Sequence, residues 1–146
     1  MQIFYPNYCS VSDLPSWEEL LSELDNSINE NKFKDLPRMG FVTHNGERIE
    51  KVETLRKQIH DSRPEEKICT AHLYMSLLPS SGTFGRHKDD TDVFFILAQG
   101  KMRWIVEAEE TVDIEMKAGD MIFLPKEVYH TPIPLTSRVG ISIGFT

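Results

Sequence analysis

The sequence predicts a mainly β protein: a small jelly-roll-like barrel with α-helices packed on it from the N-terminal side. Three observations lead there. From Ile68 onward the chain breaks into short strand-like runs separated by turn residues, the pattern of a sandwich or barrel. Before that point the apolar residues recur at helical spacing. The chain has 146 residues, 40% hydrophobic and 27% charged, which suits one globular domain around a single core. The expected division is a helical N-terminal part, 1–67, and a β-barrel core, 68–146.

The elements follow in order. In "SDLPSWEELLSELDNSINENK" Ser12 or Asp13 suits a helix cap and Pro15 a first turn. Trp17, Leu20, Leu21, Leu24 and Ile28 then form one apolar stripe, expected to pack into the core. Asn45-Gly46 signals a tight hairpin turn. "IEKVETLRKQIHDS" reads as a second amphipathic helix with Val52, Leu55 and Ile59 inward, and "SRPEEK" as a charged loop. The strand candidates are "CTAHLYMSLL", "TFGRHK", "DVFFILAQ", "KMRWIVEA", "TVDIEMK", "DMIFLP" and "SRVGISIGF". Turn residues divide them at Pro79 to Gly82, Gly100, Ala118 to Asp120, and Pro132 to Pro134.

Composition limits the function. A net charge of −7 and the lack of a Lys/Arg cluster give nucleic-acid binding no electrostatic support. Two cysteines, Cys9 and Cys69, without C-x-x-C spacing argue against a disulfide framework and a cysteine zinc site. "MQIFYPNYCSVSDLPSW" has no basic region followed by an apolar run, and no stretch is long enough to span a membrane. A cytoplasmic protein is the expectation.

The chemistry centres on "GRHKDDTDVFFILAQGKMRW". In extended chain, residues two apart point the same way, so His87 and Asp89 can both face a barrel interior while Lys88 faces out. His130, from a distant strand, completes a set of two histidines and one carboxylate. That set with open positions suits non-haem Fe(II), and zinc with an open position competes for it. His44 and His60 lack ligand-like companions and read as surface residues. His72 reads as barrel-facing or surface. Asp89-Asp90 would otherwise be a solvated turn, and His130 an ordinary strand-end histidine.

The stretch from Ile68 to Thr146 resembles the cupin superfamily, whose fold is the double-stranded β-helix. Gly119-Asp120, Pro125 and His130 are similar to the second cupin motif, with Glu127 where the motif has glycine. Within the superfamily the chain resembles the Jumonji-type and ribosomal-oxygenase cupins, which are Fe(II)- and 2-oxoglutarate-dependent hydroxylases. "GRHKDDTDVFFILAQGKMRW", "AGDMIFLPKEVYH" and "SRVGISIGF" carry that likeness. The resemblance implies that His87, Asp89 and His130 ligate iron as the catalytic centre, and that Ser142 faces the co-substrate. Asp92, Phe94 and Trp104 fall at framework positions, with core packing expected for Phe94 and Trp104.

One departure from the family matters. Its basic residue two places after the glycine of Gly100 would hold the distal carboxylate of 2-oxoglutarate, and Met102 stands there instead. Lys101 and Arg103 should point the other way by alternation. A buried carboxylate needs a partner, so either another co-substrate is used or another base supplies the contact. Arg138 is the substitute. It shares parity with Gly140 and Ser142, and its fork grips a carboxylate well. A solvated strand-start residue is the alternative. Tyr74 and Ser76 could add hydroxyl donors.

Three functions follow: an Fe(II)/2-oxoglutarate oxygenase, a metal-dependent cupin enzyme without 2-oxoglutarate (an isomerase, lyase or other dioxygenase), or a non-catalytic metal-binding barrel. Met102 favours the second, His-x-Asp the first. The expected substrate is a small molecule or a protein side chain, with no nucleic-acid or membrane partner. The resemblance also implies a homodimer paired through N-terminal elements.

Overall fold

A computed structural model describes residues 1–145. Ten strands and two α-helices run in the order β1 (Phe4–Tyr5), α1 (Trp17–Asn29), β2 (Phe33–Leu36), β3 (Gly40–Thr43), α2 (Glu50–Ser62), β4 (Ile68–Ser76), β5 (Val93–Gln99), β6 (Lys101–Glu107), β7 (Thr111–Lys117), β8 (Met121–Leu124), β9 (His130–Pro134) and β10 (Arg138–Phe145). They form two antiparallel sheets: a seven-stranded one ordered β1-β8-β5-β10-β4-β3-β2 and a three-stranded one ordered β7-β6-β9. The sequence-predicted mainly β architecture is thus present.

Alternation along the central strands assigns the two faces of the large sheet. Ala71, Leu73 and Met75 of β4 and Val139, Ile141 and Ile143 of β10 share one core with Leu20 and Leu24 of α1 and Val52, Leu55 and Ile59 of α2. Fully burying one such side chain is worth roughly 1.5–3 kcal/mol, so this layer anchors the helices. The opposite face meets the small sheet. There Phe95 and Leu97 pack with Met102, Trp104, Val106 and Met116. Arg138, Gly140 and Ser142 face this interior, in register with Ser76, Tyr74 and His72.

The N-terminal part departs from its helical expectation. The α1 helix starts later than expected: Ser16 caps it, accepting from the Glu19 N–H, while Glu19 reaches back to the Ser16 N–H. Ser12 and Asp13 lie in a separate 3-10 turn. Leu21 and Ile28 are exposed, and Glu23 and Ser27 are buried in their place. Arg48 explains the swap, since it binds the Glu23 carboxylate through Nε and Nη2 and brings a polar cluster to that face.

The segment 1–67 also carries β2 and β3, a hairpin that extends the large sheet beside β4. Its turn uses Arg38 and Met39 at φ +61° and +63°, backbone angles that sequence reading reserves for glycine or asparagine. Asn45-Gly46 makes no hairpin. Gly46 opens a 3-10 turn that presses on β4, where a Cβ would lie 2.8 Å from the Ala71 carbonyl oxygen.

Two further corrections fall near the site. "TFGRHK" is a loop whose only ladder contact is a bridge from His87 to His130. The prolines after His130, read as a turn, lie in β9. β9 is an edge strand of the small sheet, where missing N–H groups are tolerated.

Arg63, in the expected charged loop, stands 4.9–5.7 Å from the ring centres of Phe94, Phe123 and Phe145. It also pairs with Glu66 and Asp92. Cys9 is a free thiol, and the side chain of Cys69 lies outside the described residues. Among the described residues no helix is long and apolar enough to cross a membrane.

Candidate metal centre

His87 and His130 are brought together by the backbone before their side chains meet. Each N–H donates to the other's carbonyl, at 3.0 and 2.8 Å. Asp89, two residues on, accepts at its carbonyl from the Glu127 N–H at 2.7 Å. The loop before β5 is therefore stitched to the loop before β9 on both sides of Lys88. Asp92 adds a third tie, accepting from the Lys126 N–H at 2.8 Å and from Arg63. Sequence reading gave Asp92 a framework role and missed Arg63, because nothing in "SRPEEK" signals packing against aromatic rings.

The side chains converge. His87 Nε2 lies 3.1 Å from His130 Nε2. Asp89 places Oδ1 3.7 Å from His87 Nε2 and Oδ2 3.4 Å from His130 Nε2. Contact with His130, followed by the field of both histidines, holds the Asp89 carboxyl below the ordinary range against its half-burial. His87 Nδ1 is 2.7 Å from the Gly85 carbonyl oxygen, and His130 Nδ1 is 3.2 Å from that of Val128. A proton held on each Nδ1 by those carbonyls would free each Nε2 lone pair for a metal.

Lone pairs freed in this way would face each other and repel unless a cation sat between them. Two nitrogens each about 2.0–2.1 Å from one ion, at right angles, would stand roughly 3 Å apart. The spacing fits a metal, and the three donor atoms lie within 4.8 Å of one another. Among the described residues this is the one His/Cys/Asp/Glu cluster with that property.

The triad opens into a cavity of about 80 Å³, space for roughly three waters. Every cofactor-binding residue expected from the sequence lines it: Tyr74, Ser76, Arg138 and Ser142. Arg138 is only 3% exposed, which excludes the solvated alternative. Its guanidinium donates to the carbonyls of Ser81 at 3.0 Å, Thr136 at 3.1 Å and Pro79 at 3.5 Å. Among the described residues no carboxylate pairs with it, and burial pulls its pKa down. Gly140 is needed beside it, since a Cβ there would lie 1.8 Å from the Phe95 ring.

Met102 also faces the cavity, 4% exposed. Lys101 and Arg103 point outward, as alternation requires, and Arg103 is bound to Asp113. His44 is exposed and meets the half-buried His72 edge to face at 5.1 Å, so neither joins the triad. Sequence reading missed Phe84, which lines the mouth while 42% exposed.

Residues 73–138 match the family described as the cupin domain. The barrel has the cupin fold. Among solved structures it is similar to the Escherichia coli ribosomal oxygenase YcfD, with TM-score 0.71 and 18% identity over 99% of this chain and 47% of that one. A structure of YcfD in complex with cobalt and 2-oxoglutarate gives TM-score 0.63 and 22% identity, covering 73% of this chain and 31% of that one. KdgF from Halomonas sp. is similar over 80% of this chain and 87% of its own, with TM-score 0.52 and 13% identity. The chain thus spans less than half the length of YcfD, and the likeness at these identities is one of fold. No curated protein sequence matches it.

Proposed function

We propose that this cupin is a non-haem Fe(II)- and 2-oxoglutarate-dependent oxygenase. One observation carries the reading: a buried arginine that has no carboxylate partner among the described residues shares a small cavity with a His-Asp-His triad. A buried cation of that kind is costly unless an anion completes it. A dicarboxylic 2-oxo acid meets both needs, chelating the metal at one end and entering the Arg138 fork at the other. The similar YcfD, solved with cobalt and 2-oxoglutarate, supports the assignment.

Iron bound there would supply O2 activation and oxidation of a C–H bond. The chain's own residues hold and orient. His87, Asp89 and His130 fix the metal, and the Gly85 and Val128 carbonyls fix their tautomers. Arg138 takes the distal carboxylate, with Ser76, Tyr74 and Ser142 beside it as hydroxyl donors. Met102 and Phe95 close the cavity to water. The remaining opening, past Phe84, presents a small molecule or a protein side chain to the metal.

The test is anaerobic titration of the Fe(II)-loaded protein with 2-oxoglutarate, following the weak visible band of a ferrous 2-oxo acid chelate. A saturable band is expected. Iron binding without a band would sink the co-substrate assignment. Met102 would then favour the second reading, a metal-dependent cupin enzyme acting on another small acid.

A further inference from the structure

We propose that Arg63 is a positioning residue for the metal centre: acting through Asp92, it holds together the two loops that carry the triad. The proposal rests on the triad binding a metal and does not require 2-oxoglutarate. Arg63 ends α2, the helix packed on the face of the large sheet away from the cavity. Its reach to the site is through hydrogen bonds.

Arg63 Nη2 donates to Asp92 Oδ2 at 2.7 Å. The other oxygen, Oδ1, accepts from the Lys126 N–H at 2.8 Å. A carboxylate held by a donor at each oxygen cannot turn, so the guanidinium aims Oδ1 at the Lys126 backbone. Asp92 follows Asp89 in the loop before β5, and Lys126 precedes His130 in the loop before β9. The next amide, that of Glu127, donates to the Asp89 carbonyl at 2.7 Å. Consecutive N–H groups of one ligand loop thus grip the Asp92 side chain and the backbone of the ligand Asp89. Ligand geometry has to be held to about 0.5 Å by such supports.

The anchor is firm at its own end. The guanidinium stands 4.9–5.7 Å from the ring centres of Phe94, Phe123 and Phe145, which come from the adjacent strands β5, β8 and β10. Glu66 accepts from Nε at 3.0 Å and from Nη2 at 2.6 Å. The Arg63 and Asp92 side chains are 24% and 18% exposed. Attraction to the rings and this burial separate the pair from a loose surface bridge, which contributes little. The rings and Glu66 fix the guanidinium, and the bond to Asp92 carries that fixity to the loops. The sign of the effect is diagnostic. Arg63 is a cation, so by its field alone its removal would favour a divalent ion at the triad. Positioning demands the opposite.

Anaerobic titration of the metal-free protein with cobalt(II), read by calorimetry and by the visible spectrum, tests this. Arg63→Met keeps an unbranched side chain over the rings. It should lower cobalt affinity about tenfold, the low end for partners outside the ligands themselves, and alter the visible bands, which report ligand geometry. Asp92→Asn should also weaken cobalt binding, and the double variant should bind no more weakly than Asp92→Asn alone. Arg63→Lys keeps the charge without the fork and should lose about threefold; it carries the test where Arg63→Met does not fold. Unaltered or tighter cobalt binding with native bands in the folded Arg63 variant overturns the proposal and leaves Arg63 a stabiliser of the sheet. Additive losses in the double variant overturn it as well, because Arg63 would then act by a route other than Asp92. A native chain that binds no cobalt overturns the metal reading and this proposal together.

Discussion

His87 and His130 hold their Nε2 atoms 3.1 Å apart while each Nδ1 engages a backbone carbonyl. The backbone bridge between the same two residues keeps their backbones side by side. A divalent metal should therefore bind the native state and stabilise it. At a free concentration a hundredfold above Kd, linkage gives about 2.7 kcal/mol, and the melting temperature should rise by roughly 5–10 °C. His87→Ala should melt at one temperature with or without metal. A metal-dependent rise in that variant would place the ion elsewhere.

Glu127 stands where the second cupin motif has glycine, and its φ of +62° shows why glycine belongs there. The left-handed conformation costs a side-chain-bearing residue roughly 1–2 kcal/mol. Its N–H nonetheless has to meet the Asp89 carbonyl, so the conformation is held. Glu127→Gly should stabilise the protein by about 1 kcal/mol in urea denaturation. The exposed pair with Lys88 offsets little of this. Glu127→Ala, which loses the pair and keeps the strain, should give no gain. Equal stability of the two variants would show that the turn relaxes without glycine.

The central barrel was legible because alternation is a local rule. The family resemblance put Ser142 at the cavity, parity carried Arg138 there with it and grouped Tyr74 with Ser76, and each lines it. The triad was legible because ligand chemistry restricts residue type. The β2–β3 hairpin was hidden because Arg38 and Met39 carry no signal for positive φ. β9 was hidden by prolines that only an edge position excuses. Arg63 reads as solvent-exposed in any sequence window, and only the folded chain sets it against three phenylalanines.

The Gly-Asp of the second motif works through structure. Asp120 is 3% exposed and accepts from the Asn7 and Lys117 N–H groups at 2.8 and 3.0 Å and from Lys117 Nζ at 3.1 Å. Burial pushes its pKa up, but these donors prevail and hold it below the usual carboxylate range. The folded value is depressed, so the stability it contributes is present above the unfolded value near 3.9 and is lost as pH falls through the folded one. Asp120→Asn should cost about 1.5–3 kcal/mol at pH 7. Its deficit relative to the native chain should shrink as pH drops below about 4. A constant deficit across an acid titration of denaturant midpoints would show that the charge is not what matters.

Arg138 separates the charge from the shape of the anion site. Its guanidinium already spends donors on Ser81, Thr136 and Pro79 carbonyls, which fix its plane and leave the remaining N–H groups for a ligand. Arg138→Lys keeps the charge and loses the fork, so 2-oxoglutarate affinity should fall about tenfold, the loss of one charge-assisted hydrogen bond. Arg138→Met removes both and should cost a hundredfold or more, on the order of 3 kcal/mol. Metal affinity should be unchanged in both variants, because Arg138 lies outside the triad. Calorimetric titration with metal first and acid second reads the two affinities separately. A coupled loss of metal binding would mean that Arg138 supports the barrel instead. Unaltered acid affinity in Arg138→Met would return the distal carboxylate to another base.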